Sequence, residues 1–251
     1  MKKILLICAS ILLCVSCKKE TRIEPSNSKK STQLIHVKKA KSAINIDGVA
    51  NESIWQSAEW HQLDHLWLGD SLIETDFSGR YKLSWTNEAL FLLAEIKDDT
   101  LFDQHQDPLT AWWDDDCLEI FIDEDNSGGN HQFNHNAFAY HVALDGNVVD
   151  MSTAEAGKLF NSDIQSALNT KGNTTIWEVK VLLFDDTYDD TKDNTPVELT
   201  AGKYVGFALA YCDNDGSLNR EHFIGSLHVE GEDKNRGWID ADIFGTLVLE
   251  N

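Results

Sequence analysis

Short segments in which apolar and polar residues alternate with a period of two recur along the chain, and they constrain the fold more than any other feature. In residues 80–85, Tyr81, Leu83 and Trp85 fall on one face, and Arg80, Lys82 and Ser84 on the other. Leu118, Ile120 and Ile122 share a face in residues 117–123, as do Tyr140, Val142 and Leu144 in residues 139–144. Residues 89–97 are apolar on both faces near their middle, which reads as an interior strand. Residues 175–183, 204–212, 222–225 and 245–250 complete the set. Alternation with period two marks a strand buried on one side. Helical signal is confined to residues 51–58, with Asn51 as the cap, and a turn at 163–168. The expected fold is all-β: a two-sheet antiparallel β-sandwich, jelly-roll-like, with one or two short helices.

The N-terminus reads as an address. Residues 1–17 are MKKILLICASILLCVSC. Lys2 and Lys3 precede an apolar stretch too short to span a bilayer, and the small Ser16 stands before Cys17. The arrangement resembles a bacterial lipoprotein signal cleaved before Cys17 and lipidated on it. Cys14, three residues before the cleavage point, is unusual there. Residues 1–16 are therefore expected to be a signal peptide, 17–32 a lipidated cysteine with a polar flexible tether, and 33–251 one domain. The expected location is the bacterial cell envelope, lipid-anchored at the outer membrane, and Glu20 near Cys17 points toward surface display. Of the five cysteines, Cys117 and Cys212 remain in the domain. They read as buried thiols, with a disulfide as the alternative.

With 42 acidic against 21 basic residues, the formal charge is −21. Nucleic acid and anionic lipid headgroups are disfavoured as partners, because phosphates would be repelled. Neutral ligands suit such a surface, and carboxylates are left for hard cations such as Ca²⁺. The long loops at 98–116, 124–136, 185–203 and 226–241 are rich in Asp, Asn, Gly, His and Trp, which points to ligand contacts. Trp112 and Trp113 lie in one acidic loop and Trp238 in another. An exposed indole is a flat apolar plate that stacks on the C–H face of a pyranose, while nearby carboxylates and amides meet its hydroxyls. Tryptophans capping the ends of the sandwich are the competing reading. If Leu118 and Tyr140 face the core, Glu119 and His141 face away, with small Ala139 and Ala143 beside the histidine.

Residues 123–128, Asp-Glu-Asp-Asn-Ser-Gly, partly match the start of a calcium loop, but Asn134 stands where a bidentate glutamate is expected. Residues 212–216, Cys-Asp-Asn-Asp-Gly, form a shorter version. Asp123, Asp125, Asp213 and Asp215 are the candidate ligands, and ordinary Asp/Asn turns are the alternative. His131 and His135 sit in a loop composition that does not favour a transition metal. The run Asp114–Asp116 contains enough carboxylates for glycosidase chemistry, but one loop does not place a partner across a scissile bond. No enzymatic activity is expected.

Four stretches stand together: IDGVANESIW (46–55), RYKLSWTNEALFLLAEIKDD (80–99), WWDDDCLEIFIDEDN (112–126) and WIDADIFGTLVL (238–249). In that order they resemble the family 9 carbohydrate-binding module, a sandwich related to DOMON-like domains. The resemblance implies sugar binding between two tryptophans, and structural calcium. It assigns Trp113, Asp116, Leu118 and Glu119 to the motif W-x-x-D-x-[VLI]-E, with Trp113 a platform and Glu119 a hydroxyl partner. It assigns Trp238, Asp240, Phe244 and Gly245 to W-x-[DN]-x-x-x-F-G, with Trp238 the second platform and Asn235 a polar contact. It also implies calcium at Asp123 and Asp125. This chain departs from some sugar-binding members, having His141 and Ala143 where they have arginine and asparagine. The expectation is a non-catalytic lipoprotein that captures an oligo- or polysaccharide end between Trp113 and Trp238, with Glu119, Asn235 and His141 on its hydroxyls. A haem-binding redox domain using Met151 with His141 or His105 is the alternative, and a glycoside hydrolase using Asp116 and Glu119 a third.

Overall fold

The computed structural model describes residues 31–251. The expected signal peptide, Cys17 and most of the tether lie outside the described residues. Two sheets pack face to face as a β-sandwich. The larger runs in the order β1 (Leu34–Lys38), β14 (Gly245–Glu250), β12 (Tyr204–Asp213), β6 (Cys117–Asp123), β7 (Phe138–Ala143), β8 (Val148–Met151) and β9 (Gly157–Leu159). To it are added β13 (His222–Gly225), on β12, and β3 (His65–Leu68), on β13. The smaller sheet is β10 (Ile164–Lys171), β11 (Thr174–Val181), β5 (Leu90–Asp98), β4 (Phe77–Trp85) and β2 (His61–Leu63).

Alternation fixes which half of each strand is core. Leu118, Ile120 and Ile122 of β6, with Tyr140 and Val142 of β7, enter the cluster between the sheets alongside Tyr81, Trp85, Trp177 and Tyr211. The Trp85 indole N–H donates to the Val37 carbonyl at 3.0 Å, which ties β1 of one sheet to β4 of the other. Side chains one residue out of step point to the opposite face. On that face Cys117, Ala139, Ala208, Ala210 and Cys212 are small, and Trp67, Phe121, Phe223 and Phe244 build a second apolar layer. The loops before β6, after β6, after β12 and before β14 close over this outer face. Its small residues leave room beneath them.

Three expectations are corrected. β1 runs parallel to β14, so the sheets are not purely antiparallel. The two are the first and last strands, and no hairpin constrains their direction. Residues 163–168 are not a helical turn, because β10 runs from Ile164 at the edge of the smaller sheet and pairs with β11 over eight residues. Most of its side chains are exposed or half-buried, so it carries no apolar stripe. Its direction is set by a two-residue hairpin with Gly172 at φ +59°, a conformation that such turns demand. The short helix α1 (Ser53–Ser57) forms as expected, but Glu52 and not Asn51 holds the cap position. The Glu52 carboxylate instead accepts the Asn45 N–H at 3.1 Å.

Candidate functional site

Glu119 and His141 are direct cross-strand partners on the outward face of β6 and β7. Both are buried beneath the loops. The imidazole Nε2 lies 3.2 Å from Glu119 Oε2, and Nδ1 lies 3.2 Å from the Ala139 carbonyl. Both neighbours are hydrogen-bond acceptors when Glu119 is ionised, an arrangement that favours the doubly protonated ring. Burial pulls its pKa down, but the Glu119 carboxylate outweighs that and raises it above 6.5. A buried charge pair of this kind holds only while both partners remain.

Arg220, on the loop between β12 and β13, completes the floor. Its guanidinium donates to Asn235 Oδ1 at 2.9 Å and to Cys212 Sγ at 3.1 Å, and it lies 4.0 Å from Glu119 Oε2. It stacks on Phe223 with 4.0 Å to the ring centroid. Sequence reading missed it. The signal was available: Arg220 is the one Lys or Arg between Lys203 and Lys234.

The tryptophan loop is held by its own carboxylates. Asp116 accepts the backbone N–H groups of Phe102 at 2.7 Å and Asn214 at 2.8 Å. Asp115 accepts those of Gln104 at 3.0 Å and His105 at 3.1 Å. Asp114 accepts that of Arg220 at 3.1 Å. The run that offered glycosidase carboxylates is thus a set of braces joining three loop segments. On this platform Trp113 stands 41% exposed. Trp112 meets it edge-on, with ring centroids 4.8 Å apart. The Trp112 ring lies against Gly157, where an added Cβ would come within 2.4 Å of it. Across the outer face, Trp238 ends a 3-10 turn, Arg236–Trp238. Gly237 lets that turn settle on Phe121, since a Cβ there would sit 2.8 Å from the ring. The His131 imidazole pairs with the Gly237 carbonyl at 2.7 Å.

All five residues expected on the sugar, Trp113, Glu119, His141, Asn235 and Trp238, line one cleft with a cavity volume of about 340 Å³. Trp112, Phe133, Asp150, Met151 and Arg220 line it too. The volume falls in the range of small-molecule sites. Phe133 stands edge-on to Trp238 at 6.4 Å. Burial pushes the Asp150 carboxyl up to about 6, although the N–H groups of Ala139 and Met151 pull it down.

The expected metal residues fall in two places. Asp213 joins Asp98 and Asp116, and Asp215 joins Asp76 and Asp99, with the ligand atoms of each set within 4.8 Å of one another. Asp76, Asp98 and Asp99 were not found from sequence, because they come from other strand ends. Burial, then the Asp98 charge, pushes Asp116 up to about 9. At the end of β6, Asp123 Oδ2 accepts the Gly128 N–H at 2.7 Å, while buried Oδ1 has no hydrogen-bond partner among the described residues. Asp125 accepts the Ser127 N–H at 3.0 Å. Hard oxygen donors and an orphaned carboxylate oxygen fit a cation such as Ca²⁺. His131 and His135 do not converge, since His135 stacks on Phe138 at 5.3 Å and lies 3.4 Å from Asp190.

Sandwich and roofed cleft define an all-β domain with an aromatic-walled outer site. The chain belongs to the family described as carbohydrate family 9 binding domain-like, whose model matches residues 46–251. A family 9 carbohydrate-binding module from Caldicellulosiruptor kristjanssonii, solved with cellotriose, has a similar fold. Its TM-score is 0.65 at 18% identity, over 87% of this chain and 94% of that one. The same module with glucose gives a TM-score of 0.65 at 18% identity, covering 87% and 96%. Endo-1,4-beta-xylanase A of Thermotoga neapolitana is 32% identical over 81 residues, which is 32% of this chain and 7% of that enzyme.

The His141 pair gives a direct test. In NMR titration the His141 imidazole is expected to lose its proton above pH 6.5, and Glu119→Gln should move that midpoint downward. The ion pair is complete below the ordinary histidine value and is lost as pH rises through the raised one. A midpoint at or below 6.5 in the native protein would contradict the assignment.

Proposed function

We propose that this protein is a non-catalytic carbohydrate-binding lipoprotein of the bacterial envelope, gripping a neutral sugar or chain end in the cleft between Trp113 and Trp238. One observation carries the reading: two tryptophans on separate loops share a cleft with a floor of Glu119, His141, Arg220 and Asn235. Indole faces hold the C–H surface of a pyranose, and the floor meets its hydroxyls. Where some relatives place an arginine, this chain has His141, and Arg220 brings a guanidinium to the cleft from a different loop. Cellotriose and glucose, the sugars in the structures of similar fold, name the class to try first. Catalysis is not favoured: Asp114, Asp115 and Asp116 are occupied with backbone N–H groups, and Glu119 is paired with His141. The sequence of residues 1–17 supports export and a lipid on Cys17. A role in gathering glycans for breakdown follows from the two together.

The haem reading finds less support. Met151 and His141 share the cleft, but both ring nitrogens of His141 already have partners, and His105, the other candidate, is not among the residues that line the cleft with Met151. Asp123 and Asp125, and Asp213 and Asp215 with the carboxylates beside them, would hold Ca²⁺ as a structural ion. There it would neutralise carboxylates gathered at loop ends.

Titration calorimetry with cellotriose and glucose tests the site. Trp113→Ala and Trp238→Ala are each expected to weaken binding about tenfold, the equivalent of one good aromatic contact. Unchanged affinity in both variants would overturn the site. For calcium, thermal melts with the ion and with chelator should differ. Saturation at about 100 times Kd stabilises by ~2.7 kcal/mol, or roughly 5–10 °C for a domain of this size. Coincident melts would remove the ion from the account.

A further inference from the structure

Cys117 and Cys212 sit at one end of the β6–β12 ladder and are direct partners in its register, Cys212 opposite Cys117. Directly opposed residues in an antiparallel pair have Cα atoms about 4.5–5.5 Å apart and point to the same face. That spacing falls inside the range, about 4.4–6.8 Å, that a disulfide bridges. Both cysteines are free and buried in the outer apolar layer. Each sulfur also holds a different part of the cleft. The Cys117 thiol faces the Trp112 carbonyl at 3.7 Å, and Cys212 Sγ receives the Arg220 guanidinium at 3.1 Å.

We propose that Cys117 and Cys212 form a redox-active dithiol that closes into a cross-strand disulfide beneath the cleft and loosens the cleft's hold on Trp112 and Arg220. Two S–H bonds break and one S–S bond forms. The two electrons and two protons pass to a disulfide oxidant, which is released as two thiols. Closure removes the Cys117 S–H from the Trp112 carbonyl. It also turns the Cys212 sulfur into a disulfide sulfur, a poorer acceptor for the guanidinium. Among the described residues, Arg220 then keeps Asn235 as a side-chain hydrogen-bond partner and Glu119 as a charge partner. The signal expected over residues 1–16 would carry the chain toward compartments where such oxidants act. Cys212 also gathers with Glu119 and His141 within 4.8 Å, a donor set suited to a soft metal. The fixed positive charge of Arg220 at the same sulfur opposes a cation there, so the dithiol is the reading the geometry favours.

The test uses the full chain without sugar, so its outcome does not depend on the binding reading. The folded protein is incubated with oxidised glutathione, and a second sample is refolded from denaturant in a mixture of oxidised and reduced glutathione. Non-reducing peptide mapping separates this pair from Cys8, Cys14 and Cys17. The expected result, from either route, is a Cys117–Cys212 linked peptide that dithiothreitol abolishes. A change in tryptophan emission should accompany it, absent from a Cys117→Ser, Cys212→Ser double variant given the same oxidant. If both routes leave the two thiols open to alkylation in denaturant, or yield only glutathione adducts, the dithiol is overturned. If the linked peptide forms and tryptophan emission stays the same, the coupling to the cleft is overturned.

Discussion

The ion pair between Glu119 and His141 is the contact on which the rest of this molecule turns. It lies on the outward face of a sheet, where one would look for solvated side chains, yet both residues are buried. Burying charge is tolerated only when it is paired and its remaining hydrogen-bonding capacity is met. His141 meets that condition through Ala139, and Arg220 stands close enough to Glu119 to add positive charge. The pair therefore requires a roof, and the roof is where the tryptophans are. Sheet register, loop placement and cleft chemistry are in this sense one arrangement.

The roof is assembled largely by carboxylates that accept backbone N–H groups. Asp114, Asp115 and Asp116 bind amides from the Phe102–His105 stretch, from Asn214 and from Arg220. Long loops leave many backbone groups without sheet partners, and an acidic side chain is an economical acceptor for them. The large negative charge thus has a local structural use as well as a bearing on partners. Where carboxylates exceed the N–H groups they can bind, as around Asp98, Asp116 and Asp213, burial and mutual repulsion raise their pKa values. Those are the places where a hard cation would be most favourable.

Much of the sandwich was legible because its central strands must alternate. Leu118, Ile120, Ile122, Tyr140 and Val142 fell on the face they were expected to fill, and this fixed Glu119 and His141 on the other. What escaped was governed by non-local pairing. β10 is an edge strand with little apolar surface, so nothing in its own residues distinguishes it from a turn. The direction of β1 depends on β14, at the far end of the chain. The five expected sugar residues lie in one cleft, but Arg220 and Phe133 join it from loop segments that carry no pattern. Their placement depends on how loops fold over a sheet, which periodicity does not encode. Asp76, Asp98 and Asp99 escaped for the same reason, since carboxylates from separate strands meet only after the sheets have formed.

The central claim is that a sugar enters the roofed cleft and touches Trp113 and Trp238. Indole N–H resonances, followed by heteronuclear NMR while cellotriose is added, test it most directly. The Trp113 and Trp238 signals are expected to move with a common saturation curve. Those of Trp55, Trp67 and Trp85, whose N–H groups donate to Glu178, Leu227 and Val37, should stay in place. Saturating sugar that leaves Trp113 and Trp238 unmoved, or shifts only the buried indoles, would contradict the account.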